Sequence, residues 1–254
     1  VSCLVNTVCV QAQITFEKTF TGDSSQNWGS CVQQTSDSGY ILIGGTSSFG
    51  AGKYDIHLIK LNHSGDTVWT KTIGDSSYNF GQYIIEIPGQ GYIITGSLFN
   101  SVSGTDDVCL IKADLTGNIL WIKTYDTGSY ESGTFVQQTT DGGFLIIGVT
   151  TSNNFGYYQI YVIKTNSTGN AQWNKIFNSD YPNWSAVGEG CVEDANGNYL
   201  ITGMTSSPTT GGDAFVIKLD SAGNLLWSKT YGSATFSDYA HSICSAHDGN
   251  FVIT

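Results

Sequence analysis

Short apolar runs alternate with polar turn clusters along the chain, and no stretch carries the 3.6-residue period of an amphipathic helix. In the first full unit these runs cover residues 30–35, 40–46, 55–61 and 68–73. Clusters such as Ser36-Asp37-Ser38-Gly39 and Asn62-His63-Ser64-Gly65-Asp66 separate them. Gly, Asp and Asn there supply the backbone angles that tight turns demand. The second run, Tyr-Ile-Leu-Ile-Gly-Gly from Tyr40, is almost wholly apolar and predicts a strand covered on both faces.

The pattern repeats. Trp69, Trp121, Trp173 and Trp227 are spaced by 52, 52 and 54 residues, as are Lys60, Lys112, Lys164 and Lys218. Gly65, Gly117, Gly169 and Gly223 keep the same spacing. Four strands per unit of about fifty residues, with no helix, describe the blades of a β-propeller. The expected class is therefore all-β, with four complete four-stranded antiparallel blades and parts of a fifth. The predicted blades are 27–73, 79–125, 131–177, 186–231 and 238–254, within a propeller covering 13–254. Residues 15–20 match the fourth-strand phrase (Trp-Ile-Lys-Thr-Tyr at 121–125), so they read as an outer strand that closes the last blade.

The recurring columns read as structure. A Trp repeated in every blade fills the same gap between neighbours. Nine of the ten Lys fall in two columns, one of them on the exposed outer strand, where a charge discourages edge pairing. Lys53 alone stands outside both columns. The nearby acids Asp66, Asp114 and Asp220 are expected to neutralise the column of Lys60. Asp55, Asp107 and Asp213, with Gln159 in the third unit, read as caps on loop amides. Calcium is the rival at such positions. Asp194-Ala-Asn-Gly-Asn198 alternates oxygen ligands, but its Gly is misplaced for an EF-hand-type loop and no bidentate Glu follows. No cofactor is therefore expected.

The stretches Lys123-Thr-Tyr125, Asp141-Gly-Gly-Phe-Leu-Ile-Ile-Gly148 and Asp107-Val-Cys-Leu-Ile-Lys-Ala-Asp-Leu-Thr-Gly-Asn-Ile-Leu-Trp121 look like the tandem repeats of secreted bacterial propeller proteins. That resemblance covers 15–254. It implies surface or type IX secretion cargo of the Bacteroidota type, in which some relatives carry an endoglucanase-like label. The turn from Asp114 through Gly117 to Trp121 distantly resembles quinoprotein, kelch and Asp-box repeats. Its spacing departs by one residue, so no cofactor residues carry over.

Composition narrows the function. The net charge is −11 and all ten bases are Lys, so the basic face and Arg forks that nucleic-acid recognition uses are missing. No run approaches the roughly 20 apolar residues that span a bilayer. The uncharged start, with Val10 and Ala12 in the small-residue positions of a signal-peptidase site, predicts that 1–12 are the remnant of a secretory signal. Val1-Ser2-Cys3 reads alternatively as the end of a lipoprotein box, and the whole run as a buried first strand. Either export reading makes the chain part of a longer secreted or cell-surface protein. The six Cys form no Cys-x-x-Cys pair, although Cys31 and Cys244 would be neighbours if five blades close.

Candidate chemistry concentrates where loops enter the first strands. Trp28, Glu131, Asp238 and Tyr239 lie there, with an enlarged loop in the fourth unit that adds Asp180, Tyr181 and Trp184. Aromatic faces beside acids and amides suit sugar rings; the competing reading of Trp28, Phe80 and Tyr239 is a shared packing column. Glu86, Glu189 and Glu193 occupy inner-strand positions, from which a carboxylate pair would serve glycoside hydrolysis at the right separation. The expected function is a binding or scaffolding module for extracellular glycan or protein. The alternative is an endoglucanase-like hydrolase using Glu86, Glu189 or Glu193.

Overall fold

β-branched and aromatic residues dominate the runs between turns, and each run forms a strand. The computed structural model describes residues 16–20, 26–151, 157–178, 185–207, 211–233, 236–246 and 248–254. Residues 1–12, read above as a signal remnant, lie outside them. The described residues contain strands and turns but no helix.

The first sheet comprises β1 (Asn27–Gln34), β2 (Tyr40–Thr46), β3 (Asp55–Leu61) and β4 (Thr67–Ile73), the second β5 (Asn79–Ile87), β6 (Gly91–Asn100), β7 (Thr105–Ala113) and β8 (Ile119–Tyr125). The third holds β9 (Glu131–Gln138), β10 (Phe144–Thr150), β11 (Gln159–Thr165) and β12 (Ala171–Phe177). The fourth holds β13 (Ala186–Glu193), β14 (Tyr199–Ser207), β15 (Gly211–Leu219) and β16 (Leu225–Tyr231). Each sheet is a meander in sequence order, antiparallel throughout. A two-stranded ribbon, β17 (Ile243–Ser245) and β18 (Phe251–Ile253), follows.

First strands begin earlier than the apolar pattern suggests. β1 starts at Asn27: across a bulge between Gly29 and Cys31 the ladder continues with Asn27 and Trp28 opposite Thr46 and Gly45. Equivalent irregularities recur at Gly81/Tyr83 and Gly188/Gly190, and opposite Ile147/Gly148 in the third sheet. A bulge adds one unpaired residue and bends the strand.

The sheets stack face to face in succession: β5 packs on β2, β9 on β6 and β13 on β10, while β1, β5, β9, β13 and β17 lie side by side. Three large apolar layers fill the gaps. Ile41, Ile43 and Leu58 meet Ile84, Tyr92 and Ile94; Ile93, Val108 and Leu110 meet Val136, Phe144 and Ile146. Leu145, Ile147 and Val162 meet Ile201, Phe215 and Leu219. Neighbouring residues of one middle strand, such as Ile93 and Ile94, therefore serve different layers. That two-sided burial explains why second strands read as unbroken apolar runs.

The Trp column locks each sheet to the next. Trp69 packs edge-on against Tyr92 (6.0 Å), and Trp173 tilts against Tyr199 (6.2 Å) while donating Nε1–H to Ser221 O at 3.0 Å. Phe16 makes the equivalent contact with Tyr40 at 5.6 Å, and Lys18 reaches Asp66 at 3.1 Å. Residues 16–20 thus sit against the first sheet in the place that β4 takes against the second.

The Lys60 column departs from expectation. Lys60, Lys164 and Lys218 pair with Asp37, Asp141 and Asp194 at 2.9, 2.8 and 2.7 Å, not with Asp66, Asp114 and Asp220. The partners lie in the hairpin turn between first and second strands, which the sheet brings under the third strand. Asp114 and Asp220 instead cap their own turns. The Asp194 loop, weighed above for calcium, spends its carboxylate on Lys218 and the amides of Asn196 and Asn198.

Candidate functional site

At the end of the sheets where second strands connect to third strands and fourth strands to the next sheet, four aromatic rings converge. Trp28 lies 5.3 Å from Tyr54 and 5.9 Å from Phe80, ring centre to ring centre. Tyr54 stacks with Phe80 at 6.0 Å, and Tyr78 with Phe80 at 6.3 Å and 12°. Trp28 and Tyr78 remain 36% and 40% exposed, so the group presents ring faces and edges to solvent. Lys53 Nζ stands 4.7 Å over the Tyr78 ring, and Tyr54 Oη donates to Gln26 Oε1 at 2.7 Å.

Local sequence builds this ledge. Gly45 lets the Trp28 ring lie flat on β2, since a Cβ there would come within 2.2 Å of Cζ2. The backbone of Tyr54 and Asn79 joins the two loops through a 2.8 Å hydrogen bond, which sets Tyr54 beside Tyr78. Asp55 braces the loop ahead of it by accepting from the amides of Ala51 (2.8 Å) and Gly52 (3.2 Å). In the third sheet Tyr158 takes the place of Tyr54 but Ser185 that of Tyr78, and Tyr158 instead meets Tyr130, from the loop entering its own first strand, at 6.3 Å.

Among the residues singled out from sequence, Trp28 belongs to this ledge. Tyr239 is exposed and stacks on His241 at 5.8 Å and 4°. Asp238 is half-buried and accepts from Ser233 N at 2.7 Å. Glu131 is fully buried, bonded to Thr127 and Thr150, rather than displayed on the rim. Asp180, Tyr181 and Trp184 lie outside the described residues.

The inner-strand glutamates do not converge. Glu86 reaches back to the preceding sheet, accepting from Ser36 N (2.6 Å) and Oγ (2.9 Å). Glu193 makes the same clamp to Thr140, at 2.7 and 2.8 Å. Both carboxylates are spent on joining sheets. Glu189 differs: it is the extra residue of the β13 bulge, and burial pushes its carboxyl up against a smaller opposing pull from His241.

The described thiols, Cys31, Cys109, Cys191 and Cys244, are all free. Burial pushes the Cys109 thiol up to about 12.

Tyr54 and Tyr78 escape sequence reading because each sits in a different loop. The available signal is Lys53, the one Lys outside the repeat columns.

The architecture defines an all-β, propeller-like protein, and solved structures agree. One is a protein of unknown function from Bacteroides caccae, at a TM-score of 0.51 and 14% identity, matched over 85% of this chain. The present chain spans just under two thirds (64%) of that protein's length. Another is a thermostable family-43 glycoside hydrolase, a five-bladed β-propeller, at a TM-score of 0.54 and 14% identity over 91% of this chain and 84% of that one. No family model matches the chain, and no curated protein does. At such identity the likeness speaks for the fold alone.

Proposed function

We propose that this chain is a β-propeller glycan-binding module acting outside the cell, with the aromatic ledge as its sugar platform. The observation that carries the reading is the cluster of Trp28, Tyr54, Tyr78 and Phe80, whose exposed rings are edged by Gln26 and Lys53. A pyranose ring offers an apolar face to stack on an aromatic and hydroxyls to an amide or ammonium. The glycoside hydrolase among the structural neighbours supports carbohydrate chemistry on such a fold. Binding of the purified chain to soluble and insoluble β-glucans, mannans and xylans, followed by affinity electrophoresis, tests the reading. Retention on at least one polymer, weakened tenfold or more by Trp28→Ala and by Tyr78→Ala, is expected. No retention on any polymer, or retention unchanged in both variants, overturns it.

A second reading rests on Glu189. Its raised pKa beside His241 is the property of a general acid. Endoglucanase-like release of reducing ends, abolished in Glu189→Gln, is its expected signature; an inactive wild type on the same polymers removes it.

A further inference from the structure

Because the sheets repeat, one spatial position can be compared across all four. It combines the first Asp or Gln of the third-strand ladder, the residue after the fourth strand, and the residue that opens the next first strand. In the first sheet these are Asp55, Gly74 and Asn79; in the third, Gln159, Asn178 and Ala186; in the fourth, Asp213, Gly232 and Asp238. In the second they are Asp107, Asp126 and Glu131. There a carboxylate oxygen from each of the three lies within 4.8 Å of the others.

Two of these acids are buried, Asp107 at 2% and Glu131 at 0% exposure. Asp107 Oδ2 accepts from Asn100 Nδ2 at 2.9 Å, but its Oδ1 is sealed from solvent without a hydrogen-bond partner. The repeats show where that oxygen points. A Cβ at Gly74 or Gly232 would lie 1.9 Å from Oδ1 of Asp55 or Asp213, so this oxygen faces the position that Asp126 fills. The Asp55 oxygen is also unpartnered, but the third position there is a neutral amide: Asn79 Nδ2 lies 2.8 Å from the same Cβ position and donates to Asp75 Oδ1 at 3.1 Å. In the second sheet Glu131 replaces that amide with an acid, and Asp126 adds another.

Buried Asp107 and Glu131 beside exposed Asp126 gather three carboxylates at one point, a concentration of negative charge that favours a bound cation. None of the four ion pairs among the described residues involves them.

We propose that Asp107, Asp126 and Glu131 bind one divalent cation, calcium in preference to magnesium, where the second sheet meets the third. Hard oxygen ligands select these ions over softer metals. Calcium accepts an irregular set of protein oxygens, whereas magnesium holds to a strict octahedron and gives up water reluctantly.

The test uses the full chain stripped with EDTA, titrated calorimetrically with CaCl2 and with MgCl2, and melted with and without each salt. One calcium per chain and a Tm rise of several degrees in millimolar calcium are expected, with a smaller response to magnesium. Asp126→Gly and Glu131→Asn install residues that the first sheet already carries, so both variants keep a side-chain set this fold tolerates. Calcium affinity should fall at least tenfold in Asp126→Gly, and the calcium-dependent Tm shift should vanish in Glu131→Asn. Absence of heat and of a Tm shift with either salt overturns the proposal, as does unchanged calcium binding in both variants. A metal-free Tm that rises from pH 7 to pH 5 with no calcium response also overturns it, since protons would then supply the counter-charge.

Discussion

The ring of Trp121 covers Gly169 so closely that a Cβ on that glycine would lie 2.9 Å from Cη2 and Cζ3. Gly169 also holds φ at +76°, and its carbonyl accepts from Tyr125 Oη at 2.7 Å. Gly117 meets Trp69 and Gly223 meets Trp173 in the same way. The matched spacing of the Trp and Gly columns is thus one contact repeated.

Gly169→Ala should therefore destabilise the protein twice over. The left-handed backbone costs about 1–2 kcal/mol for a non-Gly residue, and displacing a packed ring adds about 1–3 kcal/mol. Gly142→Ala is the control, because φ is +81° there but nothing lies within 4 Å of the added atom. Denaturant midpoints compared across the two variants check this; equal losses would mean that the indole yields freely.

Lys164→Met and Asp141→Asn separate the two halves of a clamp. The Lys164 side chain is 3% exposed and Asp141 53%. Burial works to raise the Asp141 carboxyl, but hydrogen bonds from Lys164, Thr139 and the Gly143 amide outweigh it and hold it at about 2. A carboxylate depressed on folding contributes stability that is present above its unfolded value, about 4, and is lost as pH falls toward the folded one. Wild-type Tm should fall between about pH 4 and pH 2, and Asp141→Asn should flatten that slope. Asp141→Asn should also cost more at pH 7 than Lys164→Met, because it strands a buried ammonium.

Glu189 carries the opposite sign. Its folded pKa is raised by burial, so its contribution to stability is present below the unfolded value and lost as pH rises through the folded one. Glu189→Gln should melt at a higher temperature than wild type at pH 7, and the two curves should converge near pH 4. A Tm gain accompanied by lost glycan binding or hydrolysis would mark Glu189 as a residue kept for use at the expense of stability.

The thiols give a check on packing. Cys244 is exposed and should react with iodoacetamide in the native protein, while buried Cys109 and Cys191 should label only on unfolding. Peptide mapping of labelled protein distinguishes the sites; rapid native labelling of Cys109 would contradict the first layer of the core.

Legibility in the sequence followed from repetition. Trp69, Trp121 and Trp173 could be read as filling the gaps between neighbours because the column recurs at fixed spacing, and each packs into a layer of the core. Pairings across a turn were harder. Asp66 is close to Lys60 in the chain, yet Asp37 is its partner, because a hairpin brings position 37 under the third strand. The ledge was half visible for a related reason. Trp28 stands out in its loop, while Tyr54 and Tyr78 meet only through the packing of two sheets.

The bulge in the first strands has a further consequence. Ser30, Gln82, Thr134 and Glu189 are the extra residues, each left out of the pairing with its second strand. A side chain released from the ladder can change chemistry without disturbing register or core. Duplicated copies of one unit are therefore free to diverge at this point first. The inner row of the molecule can be rewritten letter by letter while the architecture that carries it stays the same.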